Sequence, residues 1–91
     1  MFGCVGILTQ STGEGVSRAF SATLSVLENR DCTVYFLKGT PKSLVPEKYF
    51  LSDISEFTEN CDLVISVGGD GTLLHAAGLI YPKDVAIMGI N

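Results

Sequence analysis

Four short apolar runs, each followed by a segment of different character, constrain this chain more than any other feature. They are residues 4–8, 33–37, 62–67 and 85–89. Runs of this length, rich in β-branched residues and bounded by polar or glycine-containing turns, read as strands. The near-continuous apolarity of Thr33-Val34-Tyr35-Phe36-Leu37 suits a sheet covered on both faces. After the first run, Val16, Ala19, Phe20, Thr23, Leu24 and Leu27 recur at steps of three and four, which predicts a helix over 16–29 with one apolar face. Residues 52–59 read as a short helix with Ile54 and Phe57 at i,i+3. Residues 73–80 read as another, with Leu73, Leu74, Ala77 and Ile80 on helical spacing. Residues 39–51, with Pro41, Pro46 and alternating charges, read as an irregular connection. The order is β-α-β-(α)-β-α-β. Strands joined through helices lie parallel with right-handed connections, so the expected fold is α/β, a partial doubly wound, Rossmann-like parallel sheet.

Length and composition narrow the classes. The 91 residues make one domain, 1–91. Hydrophobic residues are 46% and charged residues 18%, which excludes disorder and is greasy for so small a domain. The last run ends just before Asn91 with no helix to cover it, so the chain reads as a truncated piece whose apolar surplus meets further structure. The net charge of −4 argues against nucleic acid as a partner, since that binding rests on Lys and Arg against phosphate. No run approaches the roughly 18 apolar residues of a membrane span. The N-terminus has no basic segment, and its apolar run stops at Thr9-Gln10-Ser11, so no secretory signal is read and the cytoplasm is the expected compartment. Cys4, Cys32 and Cys61 form no C-x-x-C pair, so no metal is expected on them and they read as buried reduced thiols.

In an open α/β sheet, ligands bind outside the carboxyl ends of the strands. Residues 9–15, 38–40 and 68–72 arrive at that edge. The segment Gly68-Gly69-Asp70-Gly71-Thr72 is the sharpest signal. Its glycines leave little side chain between the backbone and an approaching ligand, and can turn successive N–H groups into an anion nest. The segment also opens a helix, whose free N–H donors favour anions. Thr72 can cap that helix or bind a phosphate oxygen. Asp70 repels phosphate, so its presence needs another reason. It can accept a proton from an attacking hydroxyl, hold a ribose hydroxyl, or meet a metal ion. The structural alternative is a glycine-rich turn with Asp70 as N-cap. His75, five residues on, can reach a ligand at the turn or be a half-exposed helix histidine. Gly13-Glu14-Gly15 lacks the third glycine of a dinucleotide fingerprint, because position 18 is Arg, and Lys38 stands where an acidic ribose ligand belongs. Lys38, Lys42 and Lys48 read as solvated charges. There is no Gly-Lys-Ser/Thr of a Walker A motif.

These residues together resemble the N-terminal domain of NAD kinases. The likeness includes the lead-in Asp62-Leu63-Val64-Ile65-Ser66-Val67, the glycine-rich turn, Leu73-Leu74-His75-Ala76-Ala77, and the later Val85-Ala86-Ile87-Met88-Gly89-Ile90-Asn91. The turn by itself is shared with diacylglycerol and sphingosine kinases and, in variant form, with phosphofructokinases. Those lipid kinases continue with a Glu-containing helix start and an Asn-Gly pair, where this chain has His75-Ala76-Ala77.

The resemblance implies an enzyme that phosphorylates NAD at the adenosine ribose 2′-hydroxyl to give NADP. ATP or polyphosphate would be the donor, with Mg²⁺ held largely by donor phosphates. Asp70 would be the catalytic carboxylate. Gly71 would contact NAD, Gly68, Gly69 and Thr72 would shape the phosphate-receiving turn, and His75 and Asn91 would contact the dinucleotide. Full-length members are homodimers or tetramers. The family's Asn-acid pair and second, β-rich domain are absent from residues 1–91, so this chain alone is expected to be inactive. Two other readings stay open: a lipid-kinase fragment, and a non-catalytic nucleotide-binding module.

Overall fold

Strand β1 (Cys4–Leu8) pairs in parallel with two neighbours at once, which puts it at the centre of the sheet. The structure, a computed structural model, describes residues 3–10, 13–81 and 83–90. Along them follow α1 (Glu14–Glu28), β2 (Thr33–Leu37), a 3₁₀ turn (Lys42–Leu44), β3 (Leu51–Ser52), α2 (Ile54–Asn60), β4 (Leu63–Val67), α3 (Asp70–Ile80) and β5 (Ala86–Ile90). All pairings are parallel, and the sheet order is β3-β2-β1-β4-β5. The chain therefore steps outward from β1 to β3, crosses back, and steps the other way through β4 to β5. Winding reverses between β1 and β4, and the crevice at their carboxyl ends is where such sheets hold ligands.

Side-chain alternation along the strands builds two cores, one on each face. On the α1 face, Val5 and Ile7 of β1, Phe36 of β2 and Leu63, Ile65 and Val67 of β4 pack against Phe20 and Leu24 of α1. Phe20 and Phe36 stack at 5.8 Å between ring centroids. On the opposite face, Leu8 and Val64 meet Phe57 and Cys61 from α2 and its end, and Ala76 and Ile80 from α3. Phe20, Phe36 and Phe57 are fully buried, each contributing about 1.5–3 kcal/mol of transfer free energy. Gly6, midway along β1, makes room for Phe57: a Cβ there would lie 2.5 Å from Phe57 Cζ. Asp62 ties β4 to the start of β1, its Oδ2 accepting the N–H groups of Gly3 and Cys4 at 3.1 Å each.

The parallel α/β expectation holds, with four revisions. The connection over 39–51 contains a fifth strand, because Leu51 and Ser52 pair with Phe36 and Leu37. Two residues carry no periodicity; what holds β3 is nonlocal, with Tyr49 edge-on to Phe36 at 4.9 Å and its hydroxyl donating to Glu28 Oε2 at 2.7 Å. In α2, Phe57 carries the packing and Ile54 is exposed; Asp53 caps the helix by accepting the Glu56 N–H at 2.9 Å. In α3 the buried stripe is Thr72, Ala76 and Ile80, not Leu73, Leu74 and Ala77. Small residues at the first two of these positions let the helix lie close to the sheet, and Leu74 is left 73% exposed. Of the thiols only Cys61 is buried; Cys4 and Cys32 are half-buried, and all three are free.

Candidate functional site

The glycine-rich turn leaves the fully buried strand β4 at the winding reversal. Gly68 adopts φ +144°, and its N–H donates to Ile90 O of β5 at 2.8 Å, which bends the chain away from the sheet. Gly69 is extended (φ −90°, ψ −168°) and is the N-cap of α3, with no side-chain capping bond. Its carbonyl accepts the N–H groups of Thr72 and Leu73 at 3.1 and 3.3 Å. The N–H groups of Asp70 and Gly71 therefore open the helix without an intrahelical acceptor.

This geometry revises three expectations. Asp70 is not the N-cap but the first helical residue, exposed to solvent and making no hydrogen bond or ion pair with any described residue. Thr72 does not cap the helix; it is buried against the turn, so close that a Cβ on Gly68 would lie 2.7 Å from its Oγ1. Of the three glycines only Gly68 has positive φ, so no nest of successive N–H groups forms, and the free donors come from the helix start instead. A Cβ added at Gly69 or Gly71 would meet nothing within 4 Å. Neither glycine is demanded by the fold, and Gly71 stands where alanine would make the better helix.

His75 lies five residues along α3 from Asp70. It is exposed on α3 and lines a pocket of ≈ 310 Å³ at the carboxyl ends of β1 and β2, with Thr9, Gln10, Lys38, Gly39 and Thr40 among its walls. Asp70 is not among them. The residues after β2 form a turn in which Thr40 N–H donates to Leu37 O at 3.1 Å and Gly39 adopts φ +100°, the left-handed position a type II turn requires. Sequence reading treats Lys38 as a solvated charge, yet it lines the same pocket as His75. The usable signal is that 9–15 and 38–40 end at the same sheet edge as the glycine turn. Asn91 lies outside the described residues, as do Ser11 and Thr12 of the loop after β1.

Among the described residues no three His, Cys, Asp or Glu side chains converge on a cation position. No helix among them is long and apolar enough to cross a membrane. Burial pushes the Cys61 thiol up to about 12, and burial with the bond to Glu28 pushes the Tyr49 phenol up to about 12.

Comparison with known proteins follows the same outline. A family sequence model described as ATP-NAD kinase N-terminal domain matches residues 5–91. The chain is 34% identical over 87 residues to an NAD kinase of Alcanivorax borkumensis, covering 96% of this chain and 29% of that protein. It is 33% identical over 93 residues to one of Halorhodospira halophila, covering 99% and 30%. Over 39 residues, 43% of this chain and 13% of the relative, it is 51% identical to an NAD kinase of Shewanella denitrificans. The chain spans less than a third of the length of these relatives.

Proposed function

The chain belongs to the ATP-NAD kinase family, and from that premise we propose that it forms the part of an NAD kinase that carries the catalytic carboxylate. The reaction is transfer of the terminal phosphoryl group of ATP or polyphosphate to the adenosine ribose 2′-hydroxyl of NAD, giving NADP. The observation that supports this reading is Asp70 itself: an exposed carboxylate, unpaired among the described residues, on the first turn of α3, beside the winding reversal. As the 2′-oxygen attacks phosphorus and the bond to the donor's bridging oxygen breaks, Asp70 takes the hydroxyl proton. A carboxylate suffices, because a loose transition state asks mainly for positioning and charge neutralisation.

The other residues follow from their places. Gly71 and Gly69 leave the backbone bare for close approach of the dinucleotide, and the free N–H groups of Asp70 and Gly71 favour its anionic groups. Gly68 and Thr72 hold the turn. His75 and Asn91 contact bound nucleotide. Mg²⁺ held on the donor's phosphates would supply neutralisation of charge there, and Asp70 is the carboxylate of the turn that would meet it. The remaining parts of the reading are a β-rich second half that completes the NAD site, a homo-oligomer, a cytoplasmic location, and no turnover by residues 1–91 alone.

The test is a chimera in which residues 5–91 replace the matching segment of the Alcanivorax borkumensis relative. The expected result is NADP formed from NAD and ATP, read with an NADP-specific dehydrogenase. A chimera that is folded by circular dichroism and binds NAD but forms no NADP would overturn the proposal.

A further inference from the structure

The kinase reading uses no thiol, yet two of the three free cysteines meet on one face of the sheet. Along β1, Cys4, Gly6 and Leu8 alternate toward the α2 face, where Leu8 is part of the core. Cys61, the C-cap of α2, belongs to the same core. Its sulfur lies over β1: a Cβ on Gly6 would stand 2.7 Å from Cys61 Sγ. The absent side chain of Gly6 thus leaves the space beside Cys4 to the sulfur of Cys61. The backbones are joined at the same place. Asp62, the next residue, donates its N–H to Cys4 O at 2.8 Å and accepts the Cys4 N–H at Oδ2 at 3.1 Å. A step of about 4.8 Å between strands and one of about 3.8 Å along the chain put the Cys4 and Cys61 Cα atoms about 6 Å apart, inside the range of about 4.4–6.8 Å from which disulfides form. Cys32 is on the other face, packed in the α1 core with its thiol donating to Leu27 O at 3.5 Å.

We propose that Cys4 and Cys61 are a thiol–disulfide switch that ties the end of α2 to the central strand when a low-molecular-mass disulfide such as oxidised glutathione is present. The pairing depends on the sheet and not on the kinase reading. The two thiols divide the work by exposure. Cys4 is half-buried at the start of β1 and meets the oxidant first, whereas Cys61 is 5% exposed. Burial, then the neighbouring Cys4 and Asp62, push the Cys61 thiol up to about 12, so it stays protonated until a reactive sulfur stands next to it. In the first step the Cys4 thiol loses its proton, its sulfur attacks the glutathione disulfide, and one glutathione thiol leaves. In the second, Cys61 loses its proton and its sulfur attacks Cys4 Sγ; the bond from Cys4 to glutathione breaks and the second glutathione thiol leaves. Two protein thiols become one disulfide as one glutathione disulfide becomes two thiols, so two electrons pass from the protein to glutathione. The new bond closes the chain between β1 and the end of α2, and thereby restricts the unfolded state.

The experiment uses a chimera in which residues 1–91 replace the matching segment of the Halorhodospira halophila relative, with any cysteine of the relative's own changed to serine. The folded chimera is incubated with oxidised glutathione, remaining thiols are alkylated, and the digest is read by mass spectrometry. The expected product is a peptide pair joined through Cys4 and Cys61, with Cys32 alkylated, and dithiothreitol returns both thiols. Cys32→Ser is expected to form the same link. Cys4→Ser is expected to form none and to leave Cys61 free of glutathione, since the buried thiol is not the one that meets the oxidant. In concentrated urea the preference should disappear, with Cys32 entering the bonds. The linked chimera should also unfold at a higher urea midpoint than the Cys4→Ser chimera treated alike. Cys4 held only as its glutathione adduct, a link from the folded chimera that includes Cys32, or a midpoint lowered by the bond would each overturn the proposal. None of these readouts needs NADP to be formed, so an inactive chimera rejects the kinase reading and leaves this test intact.

Discussion

A Cβ placed on Gly68 would lie 2.7 Å from Oγ1 of Thr72, and the backbone of Gly68 has φ +144°. The first residue of the glycine turn is thus glycine for the sake of the fold, on two independent grounds. Gly69 and Gly71 have open space where a side chain would go, so their reason lies in what approaches from outside.

Gly68→Ala is expected to destabilise the domain by about 2 kcal/mol or more, through the positive φ and the contact with Thr72. Urea unfolding measures it. The double variant Gly68→Ala/Thr72→Ala should recover only the steric share, because the backbone conformation stays unfavourable for alanine.

Gly71→Ala should act in the opposite sense on stability, raising it by up to about 1 kcal/mol through helix propensity. The same change should weaken NAD binding in the chimera. A variant that is more stable and binds NAD as before would show that no ligand needs the bare backbone at this position.

Asp70→Asn is expected to lower turnover in the chimera by about 10²–10⁴-fold with the NAD KM nearly unchanged, as for loss of a proton acceptor. Its stability cost should be small, about 0.3–1 kcal/mol, from removing a negative charge at a helix start. Equal losses in turnover and NAD affinity would make Asp70 a binding residue.

Gly6→Ala tests the α2 packing. A methyl at 2.5 Å from Phe57 Cζ and 2.7 Å from Cys61 Sγ must displace a fully buried ring, for a cost of about 1–3 kcal/mol. Thermal unfolding of Gly6→Ala and of Gly6→Ala/Phe57→Leu separates overpacking from loss of the strand: the second variant should be the less destabilised if the ring is the obstacle.

Alkaline pH should loosen the domain through one thiol and one phenol. The Cys61 thiol is raised from 9.0 to about 12 by burial, and the Tyr49 phenol from 10.0 to about 12 by burial and its bond to Glu28. Both folded values lie above the unfolded ones, so their contribution is fully present below about pH 9 and declines as pH rises toward 12. Urea midpoints measured from about pH 8 to about pH 11 should fall with rising pH. Replacing Cys61 with alanine should flatten the early part of the decline. At about pH 8.5, alkylation should label half-buried Cys4 and Cys32 ahead of Cys61.

The legible parts of this protein are those whose signals are local. Strands β1 and β2 have the expected bounds, because an apolar run ended by polar residues identifies itself. The place of Asp70 at a strand-to-helix junction is readable from Val67-Gly68-Gly69, although the helix begins three residues earlier than its apolar spacing suggests. The buried face of α3 is not readable, since Leu73, Leu74, Ala76, Ala77 and Ile80 put apolar groups nearly all round it, and only contact with the sheet selects the Thr72–Ala76–Ile80 stripe.

Periodicity and turn chemistry along the chain determine that this is a parallel α/β domain with a glycine-rich, carboxylate-bearing turn opening its last helix. Only the folded sheet decides that β1 separates β2 from β4, that Leu51 and Ser52 make a fifth strand, and that Lys38 comes to share a pocket with His75. The reason is that parallel strands pair across long stretches of chain. Their order is selected by how completely both faces of the sheet are buried, a quantity no local window of residues contains.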